Sequence, residues 1–399
     1  MAKEMHYTVA IVGAGSAGVS VAARLIRETG KLRGQIVIID PATKHYYQPL
    51  WTLVGGGAAK KEATERDQAS VIPDGVDWLQ ESVELFQPEE KWLQTHEGTR
   101  VSYDYLVVAA GIQIDWDRIK GLKESIGKNG VCSNYSYQYV DSTWEFIRSF
   151  TGGHAIFTQP NTPVKCGGAP QKIMYLADDY FRKSGVRSKS QVTFCSANAN
   201  IFAVKKYADT LEKVIVRKQI DTRYRRNLIE IKPETKEAVF QHLDTNELET
   251  LKYDMIHVTP PMQAPDFIAK SALADAGGWV DVDKFTLQHK RYDNVFGIGD
   301  CSNLPTSKTG AAIRKQAPTV ALNLLSLMKG EPPTAEYDGY TSCPLVTGYN
   351  KLVLAEFDYN LMPQESFPFD QSQERMSMYL LKKEALPIMY WDGMLKGLM

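Results

Sequence analysis

Cysteine is scarce in this chain: five in 399 residues, an odd number, with no C-x-x-C among them. That pattern argues against a secreted disulfide framework, a zinc ribbon or other metal site, and a thioredoxin-type pair. No unbroken apolar run reaches the ~18 residues that a bilayer-spanning helix needs. The opening MAKEMHYTVAIVG passes almost at once into structure, so no signal peptide is expected. An excess of either charge is missing too. Lys and Arg number 46 against 47 Asp and Glu, a net charge of −1, which disfavours a broad nucleic-acid binder. Histidines number only seven, and His257 and His289 read as structural rather than as bases. What is present is ordinary globular composition, 43% hydrophobic and 23% charged. Such a length suits about two or three domains with cores that need no staples. Attachment to a membrane surface stays open.

The clearest local signal lies at the start. Tyr7–Val12 is an apolar run ending in Gly13-Ala14-Gly15-Ser16-Ala17-Gly18, and a helical pattern follows through Val19, Ala22, Ala23, Leu25 and Ile26. Gln35–Asp40 then reads as a buried parallel strand. Strand, glycine turn, helix and strand make one βαβ unit. G-x-G-x-x-G alone is weak, but this context supports a dinucleotide site. The glycines let the backbone approach a pyrophosphate at the helix N-terminus. Asp40, 22 residues after Gly18, can accept from a ribose and would repel a 2′-phosphate, so FAD or NAD fits better than NADP.

Further on, the Gly-rich stretch 51–60 suggests a loop or helix break. Strands are expected at 76–79, 81–86, 92–96, 100–109, 154–158, 191–195 and 255–259, a meander over 238–251, and helices at 169–180 and 309–328. Gly297-Ile298-Gly299-Asp300 resembles the second FAD motif of flavoproteins with two dinucleotide-binding folds, and Tyr105–Gly111 resembles their intermediate strand and glycine turn. The cofactor is therefore read as FAD. Lys308 and the following helix N-terminus are expected at the flavin's pyrimidine edge, where positive charge favours a reduced, anionic flavin.

Flavoproteins of that layout carry a second glycine fingerprint for a nicotinamide cofactor. Here the corresponding loop is Phe157-Thr-Gln-Pro-Asn-Thr-Pro-Val-Lys-Cys166-Gly-Gly-Ala-Pro170, with three prolines and no fingerprint. Proline lacks the N–H that would cradle phosphate, so another electron donor is expected. Cys166 stands just before a helix, a setting that favours thiolate; its bland reading is a small buried hydrophobe. Cys343 lies beside Pro344 and Gly348, which read as an irregular loop, where functional residues concentrate. Cys195 reads as core, Cys301 as a neighbour of Asp300, and Cys132 has no partner signal.

The strings 162–176, 299–309 and 337–349, with Tyr47–Trp51 and Phe367–Gln371, resemble the sulfide:quinone oxidoreductase family, mitochondrial type, over nearly the whole chain. The resemblance implies an α/β fold of two Rossmann-like domains, glutathione-reductase-like, with a C-terminal membrane-facing segment. It divides the chain into 1–115 plus 285–330 for FAD, 116–284 carrying Cys166, and 331–399 for the redox loop, quinone and membrane. It implies that Cys166 and Cys343 are the redox pair, bridged at rest by a disulfide or through one extra sulfur. Hydrogen sulfide attacks at Cys343, the Cys166 thiolate hands two electrons to the flavin, and glutathione, sulfite or cyanide takes the sulfur. Ubiquinone then takes the electrons. FAD contacts carried over are Gly13, Gly15, Ser16, Ala17, Gly18, Asp40, Gln48, Val83, Gly111, Asp300 and Lys308.

Residues 376–399 are apolar and aromatic with Lys382, Lys383 and Lys396 interspersed. This suits a bilayer interface and a peripheral protein of the mitochondrial or bacterial inner membrane. Packing as core, or as a contact in a homo-oligomer, is the alternative. Competing functions are a type II NADH:quinone dehydrogenase, a glutathione-reductase-like disulfide enzyme, and a flavin-binding sensor. The first demands the missing fingerprint, and the second demands cysteines close together near the first glycine motif.

Overall fold

The computed structural model describes residues 3–399. The opening apolar run forms strand β1 (Glu4–Val12), and helix α1 (Ser16–Glu28) follows the glycine turn directly. Strand β2 (Ile36–Ile39) is buried along its whole length, as its unbroken Ile/Val run requires of a strand covered on both faces. Strands β3 (Asp77–Leu79), β4 (Val83–Gln87), β5 (Trp92–Thr95) and β6 (Arg100–Val108) complete most of the first sheet. Its order is β3-β2-β1-β6-β5-β4. β1 is parallel to β2 and β6, with Val12 level with Ile39 on one side and Val108 on the other.

The second sheet is wholly parallel. It takes β7 (Val131–Cys132), β8 (Gly153–Gln159), β9 (Ser190–Ser196), β10 (Asp221–Tyr224) and, returning from a three-stranded antiparallel meander over 226–252, β11 (Met255–His257). Helix α2 (Ala169–Lys183) covers it, with Pro170 in the first turn, where no intrahelical N–H is needed. The chain then returns to the first sheet: β12 (Val295–Gly297) pairs with the C-terminal half of β6, placing Gly297 level with Val108. Helix α3 (Gly310–Met328) starts at Thr309, whose hydroxyl accepts from the Ala312 N–H at 3.1 Å.

A hairpin of β13 (Thr341–Gly348) and β14 (Lys351–Phe357) joins the two halves. Cys343, Leu345 and Val353 pack into the core of the second sheet, whereas Val346, Leu352 and Leu354 pack into that of the first. No helix among the described residues is long and apolar enough to cross a membrane.

Two sequence expectations need correction. The irregular loop expected around Cys343, Pro344 and Gly348 is instead the largely buried strand β13, paired with β14. The stretch 51–60 holds the helix break expected of it, after a buried helical turn, Trp51–Gly55. Its glycines serve close packing: a Cβ on Gly56 would meet Leu176, and one on Gly57, at φ +69°, would meet the Trp144 ring. The C-terminal segment is also less exposed than an interfacial helix. Tyr379, Tyr390, Trp391, Met394 and Leu395 are buried in the first core, while Met376, Leu380, Ile388 and Leu398 face outward.

Candidate active site

Because β1, β2, β6 and β12 end level with one another, four segments leave the same carboxyl edge of the first sheet: Gly13 onward, Asp40, Ala109–Gly111 and Ile298–Asp300. This edge is where open α/β sheets bind ligands. Gly13 (φ +105°) admits no side chain, since a Cβ would lie 2.4 Å from the Ala109 carbonyl oxygen. A Cβ on Gly18 would meet the Gly13 carbonyl oxygen. Gly15 and Gly111 differ: nothing lies within 4 Å of where their Cβ would be. Two glycines thus close the turn, and two leave the backbone bare toward the edge, as close approach of a dinucleotide requires. Asp40 accepts from the Ala14 N–H at 2.7 Å and the Ala42 N–H at 2.8 Å, one bond per oxygen. Each oxygen keeps a lone pair for a ribose hydroxyl. Val83 follows β3, whose last carbonyl, at Leu79, accepts from the Asp40 N–H. These residues fit a dinucleotide of flavin type.

Asp300 and Lys308 close the same edge. The Lys308 ammonium donates to the carbonyls of Asp300 at 2.7 Å and Ser302 at 3.0 Å, and lies over the Trp279 ring. Burial raises the Asp300 carboxyl, with Lys308 and then Lys165 acting against it. Burial lowers the Lys308 ammonium, opposed mainly by Asp300.

The loop after β8 brings Cys166 to this edge. Its N–H donates to the Lys308 carbonyl at 2.8 Å, and its own carbonyl accepts from the Ala169 N–H, opening α2. One residue earlier, Lys165 Nζ donates to Gln48 Oε1 at 2.9 Å. Cys166 holds φ +57°, a left-handed conformation that costs a non-glycine residue roughly 1 kcal/mol. The geometry aims its sulfur at Cys343, and the two Sγ atoms lie 3.6 Å apart as free thiols. A disulfide needs ~2.05 Å, so a small side-chain movement closes the bond.

The two sulfurs are electrically unequal. Lys172, buried on α2, donates to Cys166 Sγ at 3.3 Å. The Cys343 thiol first, and then the Lys172 ammonium, hold Cys166 well below the ordinary thiol range despite its burial. Cys343 is pushed well above that range by its thiolate neighbour and by burial. The Lys172 ammonium beside Cys166 Sγ favours the thiolate there over Cys343.

The structure therefore brings Cys166, Cys343, Lys308, Gln48 and Asp300 into one neighbourhood, with Gly13–Gly18, Asp40, Val83 and Gly111 along the adjoining edge. Cys132, Cys195 and Cys301 are buried apart from the pair, and burial raises all three thiols, Cys132 to about 12 and Cys301 to about 11. His257 is buried and pushed down to about 3, bonded to Asn134. His289 is likewise buried and lowered. Sequence reasoning missed Lys172, whose signal was a lysine between Gln171 and Ile173 on a helix face that is otherwise apolar. It also missed that Tyr390 reaches the glycine turn, bonding Ser16 Oγ at 2.7 Å and His45 Nε2 at 2.6 Å.

Residues 7–142 match the pyridine nucleotide-disulphide oxidoreductase family. The chain is 51% identical over 393 residues to the mitochondrial sulfide:quinone oxidoreductase of Mus musculus, covering 98% of this chain and 87% of that protein. It is 53% identical over 391 residues to the one of Dictyostelium discoideum, covering 98% and 86%. Its fold matches the X-ray structure of the sulfide:quinone oxidoreductase of Aquifex aeolicus with a TM-score of 0.84 at 19% identity, over 100% of this chain and 92% of that one. At such identity to full-length relatives, the chain belongs to the sulfide:quinone oxidoreductase family.

Proposed function

We propose that this chain oxidises hydrogen sulfide at the Cys166–Cys343 pair and delivers two electrons, through FAD, to a ubiquinone-type acceptor. The observation that carries this reading is a pair of sulfurs 3.6 Å apart, one of them tied by its backbone to Lys308 at the dinucleotide edge. We assign the flavin-type cofactor as FAD, held by Gly13, Gly15, Ser16, Ala17, Gly18, Asp40, Gln48, Val83, Gly111, Asp300 and Lys308. The flavin domain is then 1–115 plus 285–330, the second domain 116–284, and the redox-loop and membrane region 331–399.

The inequality of the sulfurs sets the direction of the chemistry. Hydrosulfide attacks Cys343 Sγ in the disulfide; a new S–S bond forms there and the bond to Cys166 breaks. Cys166 leaves as thiolate because the leaving thiol with the lower pKa leaves faster, and Lys172 is placed to receive its charge. Cys343 then carries a persulfide. A small nucleophile such as glutathione, sulfite or cyanide takes the outer sulfur, and the Cys343 thiolate leaves. Re-forming the Cys166–Cys343 bond releases two electrons. Bound FAD supplies the two-electron store that separates this thiol oxidation from quinone reduction.

An anaerobic titration tests the reading. Sulfide is expected to bleach the yellow holoenzyme stoichiometrically, and NADH is not. Robust bleaching by NADH with none by sulfide would replace it with an NADH:quinone dehydrogenase.

We read Met376, Leu380, Ile388 and Leu398, the outward apolar residues of the C-terminal segment, as the seat on a mitochondrial or bacterial inner membrane, where a quinone resides. The double variant Leu380→Ser with Ile388→Ser is expected to weaken co-sedimentation with phospholipid vesicles about tenfold or more. Unchanged pelleting would place the membrane contact elsewhere.

A further inference from the structure

Lys382, expected from sequence at a bilayer interface, is instead only 3% exposed. Its ammonium makes one hydrogen bond, to the Pro49 carbonyl at 2.9 Å, although it carries three donors. The charged and ionisable groups acting on it are Lys172 on α2, Cys166 on its loop and Cys343 on β13. No carboxylate is among them within the described residues. Pro49 follows Gln48, whose side chain accepts from Lys165, the residue before Cys166, so Lys382 is buried beside the loop that carries Cys166, while Lys172 touches the Cys166 sulfur itself. With a disulfide at rest, neither has an anionic partner; with Cys166 as thiolate, one still has none. An unmatched cation in a buried setting is costly unless an anion joins it.

We propose that Lys382 and Lys172 form a binding site for a small sulfur anion, which holds hydrosulfide for attack and then stabilises the persulfide on Cys343. This rests on the reading of sulfide as the donor. Lys172 is already bonded to Cys166 Sγ, so Lys382 is the cation free to meet the incoming anion. Burial, and then Lys172, pull Lys382 down to about 7; an arriving anion draws it back to the charged form. Because Lys382 is supplied by the C-terminal segment, the sulfur site is complete only when that segment is docked against Pro49.

Azide, an anion throughout the neutral range, is the probe. In the dithiothreitol-reduced holoenzyme it is expected to slow alkylation of Cys166 by iodoacetamide, and in turnover to compete with sulfide. Lys382→Met is expected to weaken both effects about tenfold and to raise the KM for sulfide similarly with little change in kcat, the size expected for one lost charge contact. Lys382→Arg is expected to restore them. Lys382→Gln, which can keep the bond to Pro49, serves as the second variant should the methionine variant lose flavin. Wild-type azide protection and sulfide KM in either neutral variant with bound flavin would overturn the proposal. Azide protection is read without turnover, so its absence strikes the anion site alone. Failure of sulfide to bleach the wild-type flavin would strike the reading of the donor instead.

Discussion

Cys166→Ser and Cys343→Ser are each expected to cut sulfide-dependent flavin bleaching by at least ~10³-fold, because in the proposed reaction each removes one end of the bond that sulfide attacks. The two variants should nevertheless differ in a second measurement. Cys343 is the first cause of the low Cys166 pKa. In Cys343→Ser that pKa rises, so less of Cys166 is thiolate at neutral pH and its alkylation slows, recovering as the pH is raised. In Cys166→Ser the remaining thiol, buried and with a pKa raised in the wild type by burial as well as by its partner, should alkylate slowly across the neutral range. Thiol-resolved mass spectrometry after iodoacetamide reads both. Bleaching at the wild-type rate by either variant would remove the pair from the mechanism.

Removing residues 376–399 is expected to unfold or severely destabilise the protein, and not simply to detach it from membranes. Tyr390, Trp391, Met394 and Leu395 are buried in the first core. At ~1.5–3 kcal/mol for each buried large side chain, their loss approaches the ~5–15 kcal/mol of a whole domain. Loss of Tyr390 also removes its hydroxyl from Ser16 Oγ and His45 Nε2 beside the glycine turn, so flavin retention should fall with stability. Thermal unfolding and flavin content of the truncated chain check this. A truncated protein that melted like the full chain and kept its flavin would show that the segment is only an attachment.

Much of the first half was legible because its signals are local. A glycine turn between an apolar run and a helix declares a βαβ unit, and Asp40 at the end of the next strand confirms it. The missing nicotinamide fingerprint was equally local, three prolines where N–H groups are needed. The pairing of Cys166 with Cys343 was not local: 177 residues separate them, and only resemblance to a family joined them in sequence. Lys172 and Lys382 escaped for a different reason. Lysine in a helical pattern is ordinarily solvated, and only tertiary packing buries these two, Lys172 on the Cys166 sulfur and Lys382 on the Pro49 carbonyl. The glycines at 55–57 marked a helix break but hid their packing role, since glycine that loosens a chain and glycine that admits a neighbour's side chain look alike in one dimension.

The hairpin of β13 and β14 sends alternate side chains into different cores, and Cys343 sits on it. Its sulfur is therefore positioned by both halves of the molecule at once, while Cys166 is positioned by the loop that bridges them. The gap between the sulfurs behaves as a gauge of alignment. On the proposed mechanism, a slip of an ångström or two between the sheets would part the sulfurs, so misalignment is expected to cost activity before it costs stability.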